Sequence, residues 1–365
     1  MIKLVARGQA SVKWGYLSPL LAVCLTLIAG AFLFWGLGKD PVVALYTFFI
    51  RPIADWYGIT ELLVVAIPIL LCAYGLALCY RASIWNIGAE GQLLLGAVVS
   101  STMALQFVDS TSSWAMPLAL VAGMVGGMIC SGISAFLNLR LNCNETLVTI
   151  MMNYIALNTL LWAVYGPLKD PNGYNFPESA LFGDSTLLPI LFEGTRLHVG
   201  LLLVLLALVV VWVFMSKTFL GFQIKVLGLD KPAARMAGYK ETKLATMVFL
   251  VGGALAGLAG AILVTGTTGQ LIPAISPGYG YSAIIVAFLG RLHPLGITLA
   301  GLLIALIFMG GEMSQMVLNL PRSITGILQG LILFFLLSCD VLIRYRVVFT
   351  FKLPSFNATA TQGDK

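Results

Sequence analysis

Asn86-Ile87-Gly88-Ala89-Glu90-Gly91-Gln92 sets three hydrogen-bonding side chains and two glycines inside an otherwise apolar stretch. In such surroundings a carboxylate is expensive to leave charged and alone. Glu90 is therefore read two ways. It is a ligand or ion site on a pathway, or it folds a loop by accepting backbone N–H groups or pairing with Arg81. Gln92 costs less to bury. The glycines at 88 and 91 permit irregular backbone, which survives in lipid only where it lines protein or a water-filled cavity. Two amides share a second apolar run: Asn153 and Asn158 are five residues apart, about 140° around a helix, so they face different ways. Asn153 is the better pathway candidate, with interhelical hydrogen bonding as its alternative role. Gln270 closes a Thr/Gly-rich segment, Thr265-Gly-Thr-Thr-Gly-Gln270, that can end a helix or form a polar lip.

Other chemistry has no foothold. The sequence holds no G-x-x-x-x-G-K-[ST] loop, no HExxH, no GxSxG and no dinucleotide fingerprint. Its two histidines, His198 and His293, lack a partner nearby in sequence. The six cysteines lie mostly in apolar runs without CxxC spacing, which reads as packing rather than disulfides or zinc. No catalytic residue, metal ligand or cofactor is assigned.

The elements that must position these residues follow from composition. Of 365 residues, 59% are hydrophobic and 10% charged, against about 25% charged in soluble domains. Apolar runs fall at about 17–37, 61–80, 87–107, 114–137, 145–166, 197–216, 244–265, 279–290, 295–310 and 323–343. At roughly 20 residues per crossing, this is an all-α polytopic membrane protein with about ten transmembrane helices. The eighth run is short, and Pro277, Gly278 and Gly280 at its start point to a broken or re-entrant helix. With the N-terminus inside, 16 Lys and Arg fall on inner segments and 5 on outer ones, so the expected topology is N-in/C-in. The net charge of +6 thus reports topology and calls for no nucleic-acid partner.

Residues 1–16 form an inner segment, 17–343 the transmembrane body and 344–365 an inner tail, polar and disordered beyond Pro354. The outer loop 167–195, rich in Pro and Gly, reads as an irregular surface cap. The inner loop 217–243 carries six basic residues and helix signals: Asp230 as N-cap, Pro232 in the first turn, Ala233, Ala234 and Met236 as helix formers, and Gly238 to close. A short amphipathic helix at the inner surface is expected. The pairs Gly123/Gly127, Gly253/Gly257 and Gly326/Gly330 let helices approach closely.

The stretch Tyr80 to Ala97, containing the 86–92 heptad, resembles the signature of ABC importer permeases in the sugar/branched-chain amino-acid permease superfamily. The unbroken Asn-Ile-Gly-Ala-Glu-Gly-Gln form resembles the nucleoside branch, which works with binding lipoproteins of the basic membrane protein type. Asn144 to Ala156 is similar to that branch's N-E-x-x-x-T-I-M-x-N-Y-I segment. Gly228 to Gly238 resembles the superfamily's G-x-N-P-x-A-A-x-x-A-G inner loop, with Asp230 and Lys231 standing where Asn is common before the proline. The likeness covers about residues 60–340.

The resemblance implies a type II ABC importer-like permease in a bacterial cytoplasmic (inner) membrane. It implies a pathway for a small-molecule solute, nucleosides first and simple sugars as the alternative. Asn86, Glu90, Gln92, Asn153, Asn158 and Gln270 are its pathway candidates. Gly228, Asp230, Pro232, Ala233, Ala234, Arg235 and Gly238 would dock on the ATPase. ATP would be bound by partner ATP-binding cassette subunits. A second permease subunit, as a homodimer or heterodimer, and an extracytoplasmic solute-binding protein complete the assembly, with membrane lipid around it. A stand-alone secondary transporter using Glu90, or an intramembrane enzyme, are the remaining classes.

Overall fold

The structure, a computed structural model, describes residues 2–6, 12–173 and 175–349. The tail beyond Pro354 lies outside the described residues. In chain order the elements are β1 (Ile2–Ala6), α1 (Val12–Gly36), α2 (Pro41–Leu45), α3 (Trp56–Arg81), α4 (Ala89–Leu105), α5 (Ala115–Leu141), α6 (Glu145–Tyr165), α7 (Gly200–Lys217), α8 (Phe219–Leu229), α9 (Lys231–Met236), α10 (Glu241–Ile262), α11 (Tyr279–Leu289), α12 (Pro294–Leu318), α13 (Ser323–Arg344) and β2 (Tyr345–Phe349). Every expected apolar run falls on a helix. Among the described residues, seven helices are long and apolar enough to cross a membrane; α4, α11 and the apolar part of α13 are shorter.

Two features go beyond the expected elements. Outside the helical body, β1 and β2 pair antiparallel, Ile2 opposite Phe349 and Ala6 opposite Tyr345. That ribbon puts both ends of the described chain on one side of the bundle. The connection after α1 carries short helical elements. Asp40 accepts hydrogen bonds from the Val42 and Val43 N–H groups at 2.8 and 3.3 Å and starts α2. A π turn (Tyr46–Ile50) and a 3₁₀ turn (Arg51–Ile53) follow, wedged against α12. A Cβ on Gly310 would lie 2.2 Å from the Phe48 carbonyl oxygen, so only glycine admits this apolar insert.

Helix α3 is the axis, buried on nearly every side from Val64 to Tyr80. It packs against α10, α11, α12 and α7. Helices α4, α5 and α10 form a tight trio beside it, joined through bare backbone. A Cβ on Gly127 would come within 2.0 Å of the Gly253 oxygen, and one on Gly257 within 2.2 Å of the Gly123 oxygen. Of the sequence's three G-x-x-x-G pairs, two therefore meet each other across α5 and α10. The third, Gly326/Gly330, has open space around both glycines. Helix α1 presents one stripe, Ser18, Ala22, Thr26, Gly30 and Phe34, four residues apart, and packs chiefly on α13.

The expected break lies after α10. That helix runs into a π turn (Leu263–Thr268), ends at Gly269 with φ 68°, and leaves residues 270–278 irregular until Gly278, φ 99°, opens α11. The outer loop covers this break: the Ser179, Phe182 and Leu188 N–H groups donate to the carbonyls of Leu271, Gly269 and Thr265 at 3.0, 2.9 and 3.0 Å.

Candidate functional site

The 86–92 heptad joins α3 to α4, and its polar atoms are turned inward. Asn86 and Gln92 pair amide to amide at 3.5 and 3.3 Å. Asn86 also accepts from the Gly88 N–H at 2.9 Å, and its carbonyl accepts from the Tyr80 hydroxyl at 2.9 Å. Both side chains are buried. An Asx-type turn thus sets the backbone from which α4 starts.

The turn is stapled to α6 by three side chains spaced four apart, so they share one helix face. Glu145 accepts from the Trp85 N–H at 2.8 Å. Thr149 accepts from the Ile87 N–H at 3.1 Å. Asn153 accepts from the Gly91 N–H at 2.8 Å and donates to the Ile87 carbonyl at 2.9 Å. Asn144 caps α6 through the Leu147 N–H at 3.2 Å. The sequence reading missed Glu145 and Thr149 as partners of the heptad; their i, i+4 spacing ahead of Asn153 was the available signal. The glycines do more than permit irregular backbone. Gly88 lies in the non-helical link between α3 and α4, as expected, but Gly91 is helical, and a Cβ there would lie 2.8 Å from Asn153 Cα. They admit close approach.

Glu90 is buried and does not pair with Arg81. Its carboxylate accepts from the Gly280 N–H at 2.7 Å, at the N-terminus of α11, where helix N–H groups are unpaired and the helix dipole favours a negative charge. The hydroxyl of Ser276 faces the same carboxylate, and Ser276 Oγ accepts from the Gly278 and Tyr279 N–H groups at 3.2 and 3.1 Å. A Cβ on Gly280 would lie 2.3 Å from the Glu90 nitrogen. Glu90 thus holds the short helix of the broken region against α4.

The remaining candidates lie elsewhere. Gln270 donates to Glu178 at 2.9 Å and ties the outer loop to the break. Asn158 is exposed on α6 and donates to the Tyr154 carbonyl at 2.8 Å. With Tyr154, Ile155, Thr159 and Trp162 it lines an outward-facing depression of about 430 Å³. Of the six pathway candidates, Asn86, Glu90, Gln92 and Asn153 converge, whereas Asn158 and Gln270 stand apart. Among the described residues no three His, Cys, Asp or Glu side chains gather as a metal site.

At the C-terminal end of α3, Gly228 rests on its last turn. A Cβ there would lie 1.9 Å from the Arg81 carbonyl oxygen, and Ser83 Oγ donates to the Gly228 carbonyl at 2.7 Å. Buried Ile224, Leu227 and Ala234 pack with Cys79, Ala82, Ile84 and Phe249 in one apolar cluster. The loop from α8 to α9 and the heptad are consequently the two sides of one turn. Residues 58–337 match the family model described as branched-chain amino acid transport system / permease component. The chain belongs to this family.

Relatives agree along the whole length. A glucose ABC transporter permease protein of Haloferax volcanii is 36% identical over all of this chain and 98% of its own. A guanosine ABC transporter permease protein of Bacillus subtilis is 30% identical over 88% of this chain and 93% of its own. A nucleoside ABC transporter permease protein of Lactococcus lactis is 28% identical over 96% and 98%. The protein is an ABC transporter permease subunit and a multi-pass membrane protein.

In the permease, residues 217–243 form two short helices. Thr218 caps α8 through the Gly221 N–H at 3.0 Å. Asp230 takes the N-cap position of α9 with extended backbone, but its side chain makes no cap hydrogen bond. Pro232 lies in the first turn. The helix closes as expected at Gly238, φ 78°: the Gly238 N–H reaches the Arg235 carbonyl and the Tyr239 N–H the Ala234 carbonyl, both at 3.0 Å, a Schellman closure. Ala234 is buried and Ala233 is half-buried. Arg235 pairs with Glu241 at 2.6 Å, holding α9 to α10. The α8 segment was not anticipated as a helix.

Proposed function

We propose that this permease forms the translocation pathway of an importer for nucleosides. Partner ATP-binding cassette subunits bind and hydrolyse ATP, a second permease subunit completes the pathway, and a solute-binding protein delivers solute to the outer face. The observation that carries the nucleoside reading is the α6 depression. Tyr154 and Trp162 are exposed one helical turn before and after Asn158 and line the depression with it. Ring faces and an amide suit a flat base with a hydrogen-bonding edge. The unbroken 86–92 heptad and the relatives named for guanosine and nucleosides support it.

Alternating access then has a defined lever. Closure of the ATPases pushes α8 and α9, with Gly228, Asp230, Pro232, Ala233, Ala234, Arg235 and Gly238 at the contact. The push passes through the Arg81–Ser83 turn into the heptad, and through Asn153 and Glu90 to α6 and α11. Asn86, Gln92, Asn153 and Glu90 act on the pathway by positioning it, Asn158 by facing solute, and Gln270 by holding the outer cap. The N- and C-terminal segments lie in the cytoplasm, and the membrane is a bacterial cytoplasmic membrane.

Simple sugars are the second reading, favoured by the Haloferax relative named for glucose, which matches over all of this chain. Uptake of labelled nucleosides and hexoses in cells with and without this chain decides between them. Loss of nucleoside uptake alone is expected; loss of hexose uptake alone overturns the substrate assignment.

A further inference from the structure

The glycine crossing of α5 and α10 leaves a space at its inner end. Beyond Gly127 and Gly253, α5 carries the small residues Gly132 and Ala135 opposite Met247 and Leu250 of α10. Between them opens a groove of about 850 Å³, lined by Gly132, Ala135, Phe136, Leu139, Thr246, Met247, Leu250 and Val251, with Arg140, Thr242 and Lys243 at its inner lip. We propose that this groove holds an anionic phospholipid of the inner leaflet, one acyl chain between the helices and the phosphate at Arg140 and Lys243.

Three observations converge. The first is length. Gly132 to Arg140 is eight residues, about 12 Å of helix rise, close to the ~15 Å depth of one leaflet's hydrocarbon. The second is polarity by depth. The lining is aliphatic and aromatic down to the last turn, and only there do the cations and the two threonine hydroxyls begin. An acyl chain with a headgroup has that pattern; a soluble ligand does not. The third is uncompensated charge. No carboxylate lines the groove, and among the described residues neither Arg140 nor Lys243 has an ion pair. The acids nearest in sequence are already engaged: Glu241 by Arg235 at 2.6 Å and Lys231 at 3.5 Å, and Glu145 by the Trp85 N–H at 2.8 Å. Two free cations at the inner headgroup level attract an anionic lipid, whereas a zwitterionic one gains little.

The groove borders the moving part. Its α10 wall begins one residue after Glu241, which anchors α9 through Arg235. A lipid seated there fixes the spacing of α5 and α10 at the end where α9 attaches.

The test uses the full-length permease in mild detergent, stripped of lipid. Phosphatidylglycerol and phosphatidylcholine with the same acyl chains are added separately. Thermal unfolding and native mass spectrometry read stabilisation and retained lipid. The expected result is a rise in Tm with phosphatidylglycerol and a much smaller one with phosphatidylcholine. The Arg140→Gln/Lys243→Gln variant is expected to lose phosphatidylglycerol affinity by ~10–30-fold. Gly132→Leu narrows the groove without touching the charges; a Cβ there is 3.5 Å from Leu250 Cδ2, ordinary contact. It should weaken retention of both lipids. A photoactivatable acyl chain on phosphatidylglycerol should label wild-type residues 132–139 or 246–251, which needs no variant to fold. Equal retention of both lipids, affinity unchanged in the double variant, or labelling elsewhere overturns the assignment.

Discussion

Gly228 and Arg81 meet backbone to backbone: a Cβ on the glycine would lie 1.9 Å from the arginine's carbonyl oxygen. The α8–α9 segment and the turn after α3 are therefore in direct backbone contact, with no side chain to cushion it.

Gly228→Val should break that contact. It forces the two backbones apart, an overpacking cost of about 1–3 kcal/mol. Uptake is expected to fall at least tenfold while the assembled transporter still hydrolyses ATP. Ser83→Ala, which removes only the 2.7 Å bond to the Gly228 carbonyl, should cost about 1 kcal/mol and leave most uptake. Full coupling in Gly228→Val would refute the lever.

Asn153→Leu strands the Gly91 N–H and the Ile87 carbonyl in a dry interior, at about 1–3 kcal/mol for each orphaned group. A clear drop in Tm should accompany any loss of uptake. Lost uptake at an unchanged Tm would mean that Asn153 meets solute instead.

Asn158→Ala and Trp162→Ala should behave in the opposite way. Both residues are exposed on α6, so each change is expected within about 0.5 kcal/mol of wild type in stability. The uptake KM should rise several-fold with little change in maximal rate. Kinetics indistinguishable from wild type would remove the depression from the pathway.

His198, in the outer loop before α7, should make the permease acid-sensitive. Burial first, and then the charge of Arg196, lowers its pKa from 6.5 to about 4. Its Nδ1 accepts from the Gly200 N–H at 3.1 Å, which requires the neutral ring or at least an unprotonated Nδ1. As pH falls below 6.5 the unfolded chain takes up a proton that the folded chain refuses until about 4. Stability is therefore constant above pH 7 and declines between 6.5 and 4, by up to about 3 kcal/mol. Thermal unfolding at pH 7.5 and 5 reads this. His198→Asn, which keeps an acceptor but does not titrate, should flatten the dependence; an unchanged pH dependence would assign it to another group.

Much of this was legible before any coordinates. Apolar run length located the seven described helices that are long and apolar enough to cross a membrane, and Pro277 to Gly280 located the break, because glycine and proline act locally. The Gly238 closure was readable for the same reason. What was not legible depended on partners distant in sequence. Glu90 was correctly a buried carboxylate, but nothing near it indicates that Gly280, 190 residues on, supplies the N–H. Asn153 and Asn158 were separated by helical phase, yet which of them faces protein is decided by where α4 lies. The heptad's glycines read as flexibility because a close neighbour cannot be seen from one strand of sequence. The insert from Pro41 to Ile53 was missed because its apolar run is too short to signal a span, and α8, eleven residues with Lys225 in its middle, for the same reason.

The pairing of α1 with α13 has a consequence for how the molecule is made. Gly30 and its neighbour Leu328, 3.1 Å from a Cβ placed on the glycine, leave the ribosome roughly 15–60 s apart at ~5–20 residues per second. Helix α1 is thus made well before the helix it docks on, and its docking stripe waits for that partner through most of the synthesis of the residues between them. Its sequence tolerates the wait: the Thr26 hydroxyl is bonded to the Ala22 carbonyl of its own helix at 2.8 Å, so that polar group on the docking stripe has a partner before the final helix arrives.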